Sequence, residues 1–411
     1  MLIDFGSTAR PKEGSPPDLM HRVARDIQKK CNGKLHAVVA THRHKDHISG
    51  FSTNGSKTGT GDIIAACEPD VVIQPWTEDP EAKSKARRAT NVRSSRSLAF
   101  LSSLDSMNAV SSSVLAEVGH LRSGVGLNLI SRLGFLAADN EGEKEPANKS
   151  AIDNLNTMAQ GRGGNFYINF GSKSGLEDVL PGVKTHVIGP PDLTQTETIK
   201  SEVAEHEEFW MLRASAGKTF RGGGAADLFP QFRSASSDQR TPPHTRWFIR
   251  RLHSIRADQL LEIVRTLDDA MNNTSLILLF EVGGRKLLFP GDAQIENWNY
   301  ALKGAPEKEV RAIRALLEDV SLYKVGHHGS RNATPRTLWE MFARRRDKNP
   351  KGDLQTVIST RPGKHGGKHP ESHSEVPRET LVSALKQGSK YFSTEELTGE
   401  DQICKTITIN F

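Results

Sequence analysis

Apolar residues along this chain fall into short unbroken runs and into longer stretches with helical spacing. Leu35-His36-Ala37-Val38-Val39-Ala40, Asp70-Val71-Val72-Ile73-Gln74, Thr185-His186-Val187-Ile188 and 286–290 are bounded by Gly, Pro or polar turns and predict buried strands. Further strands are predicted at 1–5, 165–170, 275–282, 321–325 and 355–359, with a terminal one near 405–411. Pro16-Pro17-Asp18 opens an amphipathic helix that Asn32-Gly33 closes. Other helices are predicted near 61–67, 257–271, 294–303, 306–317, 335–346 and 377–387. Strands alternating with helices in this way predict an α/β (α+β) fold, with helices covering the sheets.

Two stretches break the pattern. Residues 77–160 are basic and rich in Ser, Ala and Leu, and 195–255 include Gly222-Gly223-Gly224. Both are read as insertions into one domain spanning 1–411, and no repeat at solenoid spacing is present.

Composition narrows the picture modestly. Of 411 residues, 36% are apolar and 25% charged, an ordinary balance that supports a sizeable core. No run approaches the roughly 18 apolar residues of a membrane span, and the first residues do not read as a signal peptide. Cys31, Cys67 and Cys404 are far apart and lack CxxC spacing, which fits a reducing cytoplasm better than a disulfide framework. The net charge is +6, concentrated at Lys83, Lys85, Arg87, Arg88, Arg93 and Arg96 and again at Arg240, Arg246, Arg250, Arg251 and Arg256. Two explanations stand: an anionic partner, with nucleic acid among the candidates, or solvated helix faces. Only Arg246-Trp247-Phe248 offers the mixture of basic and aromatic residues on which bases stack.

The chemistry is concentrated in three places, each following a predicted strand. His42, His44, Asp46 and His47 lie within one loop after the 35–40 strand, so four donor groups can converge on one small volume. Imidazole suits zinc and other first-row metals, and a carboxylate among them can serve a second ion. His42 and His44 naturally serve one ion, Asp46 and His47 the other. Asp292 in Phe289-Pro290-Gly291-Asp292-Ala293 either caps the helix that follows or bridges two metals about 3.5–4 Å apart. His327 and His328 follow the 321–325 strand; one ligates a metal while the other orients a carboxylate or gives a proton, and the sequence leaves open which. We assign His328 to the metal.

His42-x-His44-x-Asp46-His47, Gly291-Asp292 and His327-His328-Gly329-Ser330, in that order, resemble the signature of the metallo-β-lactamase superfamily. Lys324-Val325-Gly326-His327-His328-Gly329-Ser330 looks like the branch that includes the hydrolase domain of the ComEC-like DNA-uptake proteins. Asp4-Phe5-Gly6, Asn272-Asn273-Thr274-Ser275 and Lys368-His369-Pro370 resemble further elements of that branch, and 288–294 with 323–334 resemble stand-alone bacterial hydrolases of unassigned substrate. The resemblance covers 1–76, 163–191 and 272–411. It implies a four-layer αββα sandwich with two divalent metal ions at one edge, zinc by default and manganese as the alternative. It also implies a metal-bound hydroxide as nucleophile, with Asp46, His327 and His369 in catalytic roles and Asp4 as outer support.

Two departures from the pattern bear on the site. The superfamily often supplies a further histidine to the first metal, yet Val187-Ile188-Gly189-Pro190-Pro191 has none at the usual loop. His186, inside a predicted strand, is either that ligand or an ordinary strand histidine, and His120 lies within an insertion. Relatives also carry a strand before Leu2-Ile3-Asp4, so either the start is truncated or one sheet lacks an edge. The leading functional expectation is a phosphoesterase, most simply a phosphodiesterase, with a nuclease as one form. The alternatives are hydrolysis of a carboxylic ester, lactone or amide, and a ligand-binding effector with little catalysis.

Overall fold

Four short parallel strands make the first of two sheets in the computed structural model, which describes residues 1–7, 18–82, 101, 149–196, 270–330, 334–360, 376–397 and 402–410. The strands β1 (Leu2–Ile3), β2 (Ala37–Val39), β3 (Val71–Pro75) and β4 (Gly164–Ile168) neighbour one another in that order. Parallel neighbours cannot be joined by a tight hairpin and need crossover connections. Helix Leu19–Lys30 lies between β1 and β2 in the chain, and helix Thr60–Ala65 between β2 and β3. Every residue of β3 is buried, which suits a strand covered on both faces. Its one polar side chain, Gln74, is satisfied by Asn156 at 2.9 Å.

The second sheet has six strands in the order β10-β9-β8-β7-β6-β5. Strands β5 (Val183–Gly189), β6 (Ile277–Val282) and β7 (Arg285–Phe289) pair antiparallel. Strands β8 (Val320–Val325), β9 (Gln355–Ile358) and β10 (Lys390–Ser393) then continue from β7 in parallel. Helices Glu307–Glu318, Arg336–Met341 and Glu379–Gly388 alternate with these strands along the chain.

Side-chain alternation sorts the buried residues into three apolar clusters. Val38 and Val72 join Ala24, Ile64, Ala151 and Leu155 from the helices of the first sheet. Their neighbours Ala37, Val39, Val71 and Ile73 join Leu278 and Phe280 of the second sheet. On the other side of β6, Ile277 and Leu279 join Leu288, Tyr323 and Ile358, with Trp298, Leu317, Phe342 and Leu385. Burying each of the larger side chains contributes about 1.5–3 kcal/mol. The architecture is therefore mixed α/β with two sheets and flanking helices.

The chain divides into two compact units, Met1–Ser102 with Ala147–Ile199 and Met271–Phe411, and Ser103–Pro146 with Lys200–Ala270. All described residues except Ala270 belong to the first. Helix Lys149–Thr157, at the end of the 77–160 stretch, buries Ala151, Asn154 and Leu155 in that unit.

The strand predicted near 405–411 does not form: 402–410 are irregular, and the last strand of the sheet is Lys390–Ser393. The difference has a local cause. Lys390–Ser393 follows directly from helix Glu379–Gly388 and finds a parallel edge at β9, whereas Thr408 and Asn410 only accept hydrogen bonds from the Gln355 and Arg285 side chains. The helix predicted at 335–346 also stops early, at Met341. Beyond it Ala343 N donates to Glu318 O and Arg346 N to Gly388 O, so tertiary partners replace the helical ones. Among the described residues, no helix is long and apolar enough to cross a membrane.

Candidate metal centre

The site lies where three strands end. After β2, residues 40–44 form no regular element, His44 is extended, and a short helix, Lys45–Ile48, then turns the chain. The rings of His42 and His44 meet. They are 2% and 1% exposed, and His42 Nε2 lies 3.0 Å from His44 Nδ1. One turn further on, Asp46 and His47 face the same region, with His47 Nε2 3.7 Å from Asp46 Oδ2.

Strand β7 delivers Asp292 through Pro290-Gly291, and its carboxylate is 3% exposed. Oδ2 stands 3.1 Å from His47 Nε2 and 3.9 Å from His42 Nε2, between the two parts of the histidine loop. Oδ1 accepts the His327 backbone N–H at 2.8 Å, so it is not capping the next helix. Strand β8 runs into Gly326, where an added Cβ would sit 2.5 Å from Gly291 O; only glycine lets the two strand ends approach this closely. His327 and His328 follow with φ of +39° and +51°, a conformation costing each about 1–3 kcal/mol. The Asp292 contact and bonds from Gly329 N to Gly326 O and from Arg378 N to Gly329 O hold this turn in place. Its consequence is that His328 Nε2 reaches Asp46 Oδ2 at 2.6 Å.

Asp46, His47, Asp292 and His328 each present one donor atom, all within 4.8 Å of one another, and can hold a metal ion. The outer contacts set the tautomers that ligation needs. His47 Nδ1 lies 2.7 Å from Asp4 Oδ2, and His328 Nδ1 lies 2.8 Å from the carbonyl of Ser359. Both acceptors require N–H at Nδ1, so the proton on Nε2, facing the carboxylates, is the one a metal ion would displace. Asp4 also accepts from Thr41 N at 2.7 Å and from Thr41 Oγ1 at 2.8 Å, tying β1 to the histidine loop. Asp46 Oδ1 and His47 Nε2 are buried without a well-directed hydrogen bond, despite the short distance from the latter to Asp292.

Charge within the cluster points the same way. Burial favours the neutral acid for Asp46 and Asp292, yet facing His47, with His328 also beside Asp46, holds both carboxyls below their usual range. Burial likewise opposes charge on His47 and His328, but Asp292, Asp4 and Asp46 raise the first well above the ordinary imidazole value, and Asp46 raises the second. His42 goes the other way: burial and the neighbouring imidazoles His47 and His44 keep it neutral. Two buried carboxylates thus draw positive charge into one small volume. A divalent cation can supply that charge while releasing the imidazole protons.

The six residues assigned to metal from the sequence, His42, His44, Asp46, His47, Asp292 and His328, are brought together. His327 flanks them, its Nδ1 3.0 Å from Ser330 Oγ. His186 is elsewhere, on β5 with Nε2 3.7 Å from Glu281. His369, His120 and both basic clusters lie outside the described residues. Sequence reasoning missed Glu78, which forms a buried two-pronged ion pair with Arg43 at 2.8 and 2.7 Å. The signal was Arg43 itself, a charged residue between two inward-facing histidines that needs a buried partner. Comparison of the chain with models of protein families, with curated proteins and with solved structures finds no match.

Proposed function

We propose that this protein is a metal-dependent hydrolase of the metallo-β-lactamase type, acting on phosphoesters. The observation that carries this reading is the convergence of Asp46, His47, Asp292 and His328 from three strand ends, with the tautomers of both histidines fixed for ligation. A four-layer αββα arrangement is supported by the three apolar clusters, one shared by the two sheets and one on the far side of each.

Asp46, His47, Asp292 and His328 would hold one divalent ion, and His42 and His44 with Asp292 a second. Zinc is the default for so imidazole-rich a set, with manganese the alternative. Such ions supply Lewis acidity and lower the pKa of water to about 7. The chain's own residues do the positioning. The His327 backbone N–H orients Asp292 through Oδ1, leaving Oδ2 to face His42 and His47. Asp4 and Thr41 hold His47 from behind. The His327 ring is partly exposed and bonded to Ser330 at Nδ1, and we assign it to protonate the leaving group through Nε2.

Metal analysis of the purified protein, followed by chelator-sensitive assays on bis(p-nitrophenyl) phosphate, single-stranded DNA and a panel of esters and lactones, tests the proposal. Turnover of the phosphodiester that is lost on chelation and in Asp292→Ala is expected. Ester or lactone turnover alone would move the substrate class. Metal-loaded protein that hydrolyses none of them, with Asp292→Ala indistinguishable from wild type, would remove the hydrolase reading.

A further inference from the structure

His42 and His44 adjoin the four-residue cluster without belonging to it, and the residue between them is the least expected one in the loop. Arg43 is 7% exposed and Glu78 5%. Their side chains meet in the fork geometry that a guanidinium and a carboxylate favour, Nε to Oε1 at 2.8 Å and Nη2 to Oε2 at 2.7 Å. Burying two charges is expensive even when they are paired, and apolar side chains of similar volume often fill such space at no loss of stability. Packing alone therefore does not account for the pair.

The backbone offers a better account. The His42 and His44 rings meet while Arg43, between them, reaches Glu78, so the Arg43 side chain points away from both imidazoles. Any rotation at residue 43 swings His42 and His44 as well, and the two directed bonds of the fork resist such a rotation where an apolar contact would not. Glu78 prevents that rotation from a rigid base. It sits in the turn Trp76–Glu78 directly after β3, the strand hydrogen-bonded to β2, and Trp76 Nε1 anchors this turn to Pro191 O at 3.2 Å. Asp46 and His47 have supports that do not pass through residue 43: Phe5 N bonds to His47 O, Asp4 holds the His47 ring, and His328 Nε2 meets Asp46 Oδ2.

We propose that the Arg43–Glu78 ion pair is a positioning device for His42 and His44, so that uptake of a second metal ion depends on a carboxylate outside the histidine motif. The proposal rests on the metal-centre reading above. The four-residue cluster takes its ion without the pair; the site with two histidines does not.

Cobalt(II) titration of metal-free protein tests this, with the visible d–d bands reporting each ion's coordination and a competing chelator giving the affinities. Wild type should take up two equivalents. In Glu78→Gln the second equivalent should weaken by about 10–100-fold, the usual effect of losing an outer partner of a ligand, with the first equivalent's band and affinity unchanged. Arg43→Met combined with Glu78→Leu removes both charges and keeps the volume, so it provides a folded variant if the single change is too disruptive, and it should show the same selective loss. Retention of a wild-type second equivalent in either folded variant, or equal weakening of both equivalents, would overturn the proposal. So would a wild-type protein that binds only one ion. Wild type that binds no cobalt at all would instead refute the metal centre on which the proposal stands.

Discussion

Replacing Asp4 with Asn is a sharp test of the site because it changes hydrogen-bond polarity while leaving shape almost untouched. Asp4 has φ of +52°, a region that Asn also tolerates, so the backbone should be indifferent to the change. The carboxylate accepts three contacts: Thr41 N at 2.7 Å, Thr41 Oγ1 at 2.8 Å and His47 Nδ1 at 2.7 Å. An amide has one oxygen. If it faces Thr41 N, its NH2 meets His47 Nδ1, and that nitrogen must then become an acceptor. The ring proton moves to Nε2, the atom that has to bind metal. If the amide flips, the buried Thr41 N–H is opposed by a donor instead. The first orientation should cost about 10–100-fold in metal affinity, or about 1.4–2.8 kcal/mol, as other outer-shell substitutions do; the second keeps the tautomer and should cost folding stability instead. Competition of zinc against a chromophoric chelator measures this directly, with circular dichroism as the check on folding. Asp4→Asn protein that is as stable as wild type and binds zinc as tightly would refute the argument.

Two further outcomes follow from features around the site. Gly291→Ala places a Cβ 2.8 Å from Thr41 Cβ at φ of +54°, so the left-handed penalty and overpacking together should cost about 2–5 kcal/mol in urea unfolding; a loss below about 1 kcal/mol would show that the strand end has room. Far from the site, Asp319 and Asp353 share Arg344, and Lys286 and Arg285 also reach them. Burial opposes their ionisation, but these hydrogen bonds win and lower both carboxyls. A depressed carboxyl stabilises the fold above its unfolded value of about 3.9 and loses that contribution as the pH falls through the folded value. Arg344→Ala should therefore flatten the acid limb of stability below about pH 4, modestly because both acids are more than a third exposed. The stability lost in Arg344→Ala should be full at neutral pH and vanish in acid; an equal loss at pH 2 and pH 7 would contradict the assignment.

Much of the centre is legible in the chain's local pattern. His42, His44, Asp46 and His47 sit within one loop after an apolar strand, and Asp292 and His328 follow strands of the same kind, so the order of apolar runs and donor residues is enough to propose them. The strand at Lys390–Ser393 is not legible in this way, because its pairing edge is supplied by β9 rather than by its own alternation. Glu78 is hidden for a related reason. It falls in a stretch of irregular composition, and only the neighbouring positions of β2 and β3 bring it under Arg43.

What the sequence alone determined is which side chains could ligate and on which strand ends they would lie, since hydrophobic periodicity and turn residues act over a few neighbouring positions. Tertiary structure decided how those groups are used. The approach of Gly326 to Gly291 brings Asp292 and His328 to Asp46, and the carbonyl of Ser359 and the carboxylate of Asp4 choose which imidazole nitrogens face the centre. These are through-space hydrogen bonds and close contacts between segments far apart in the chain, and no local pattern encodes the distance between them.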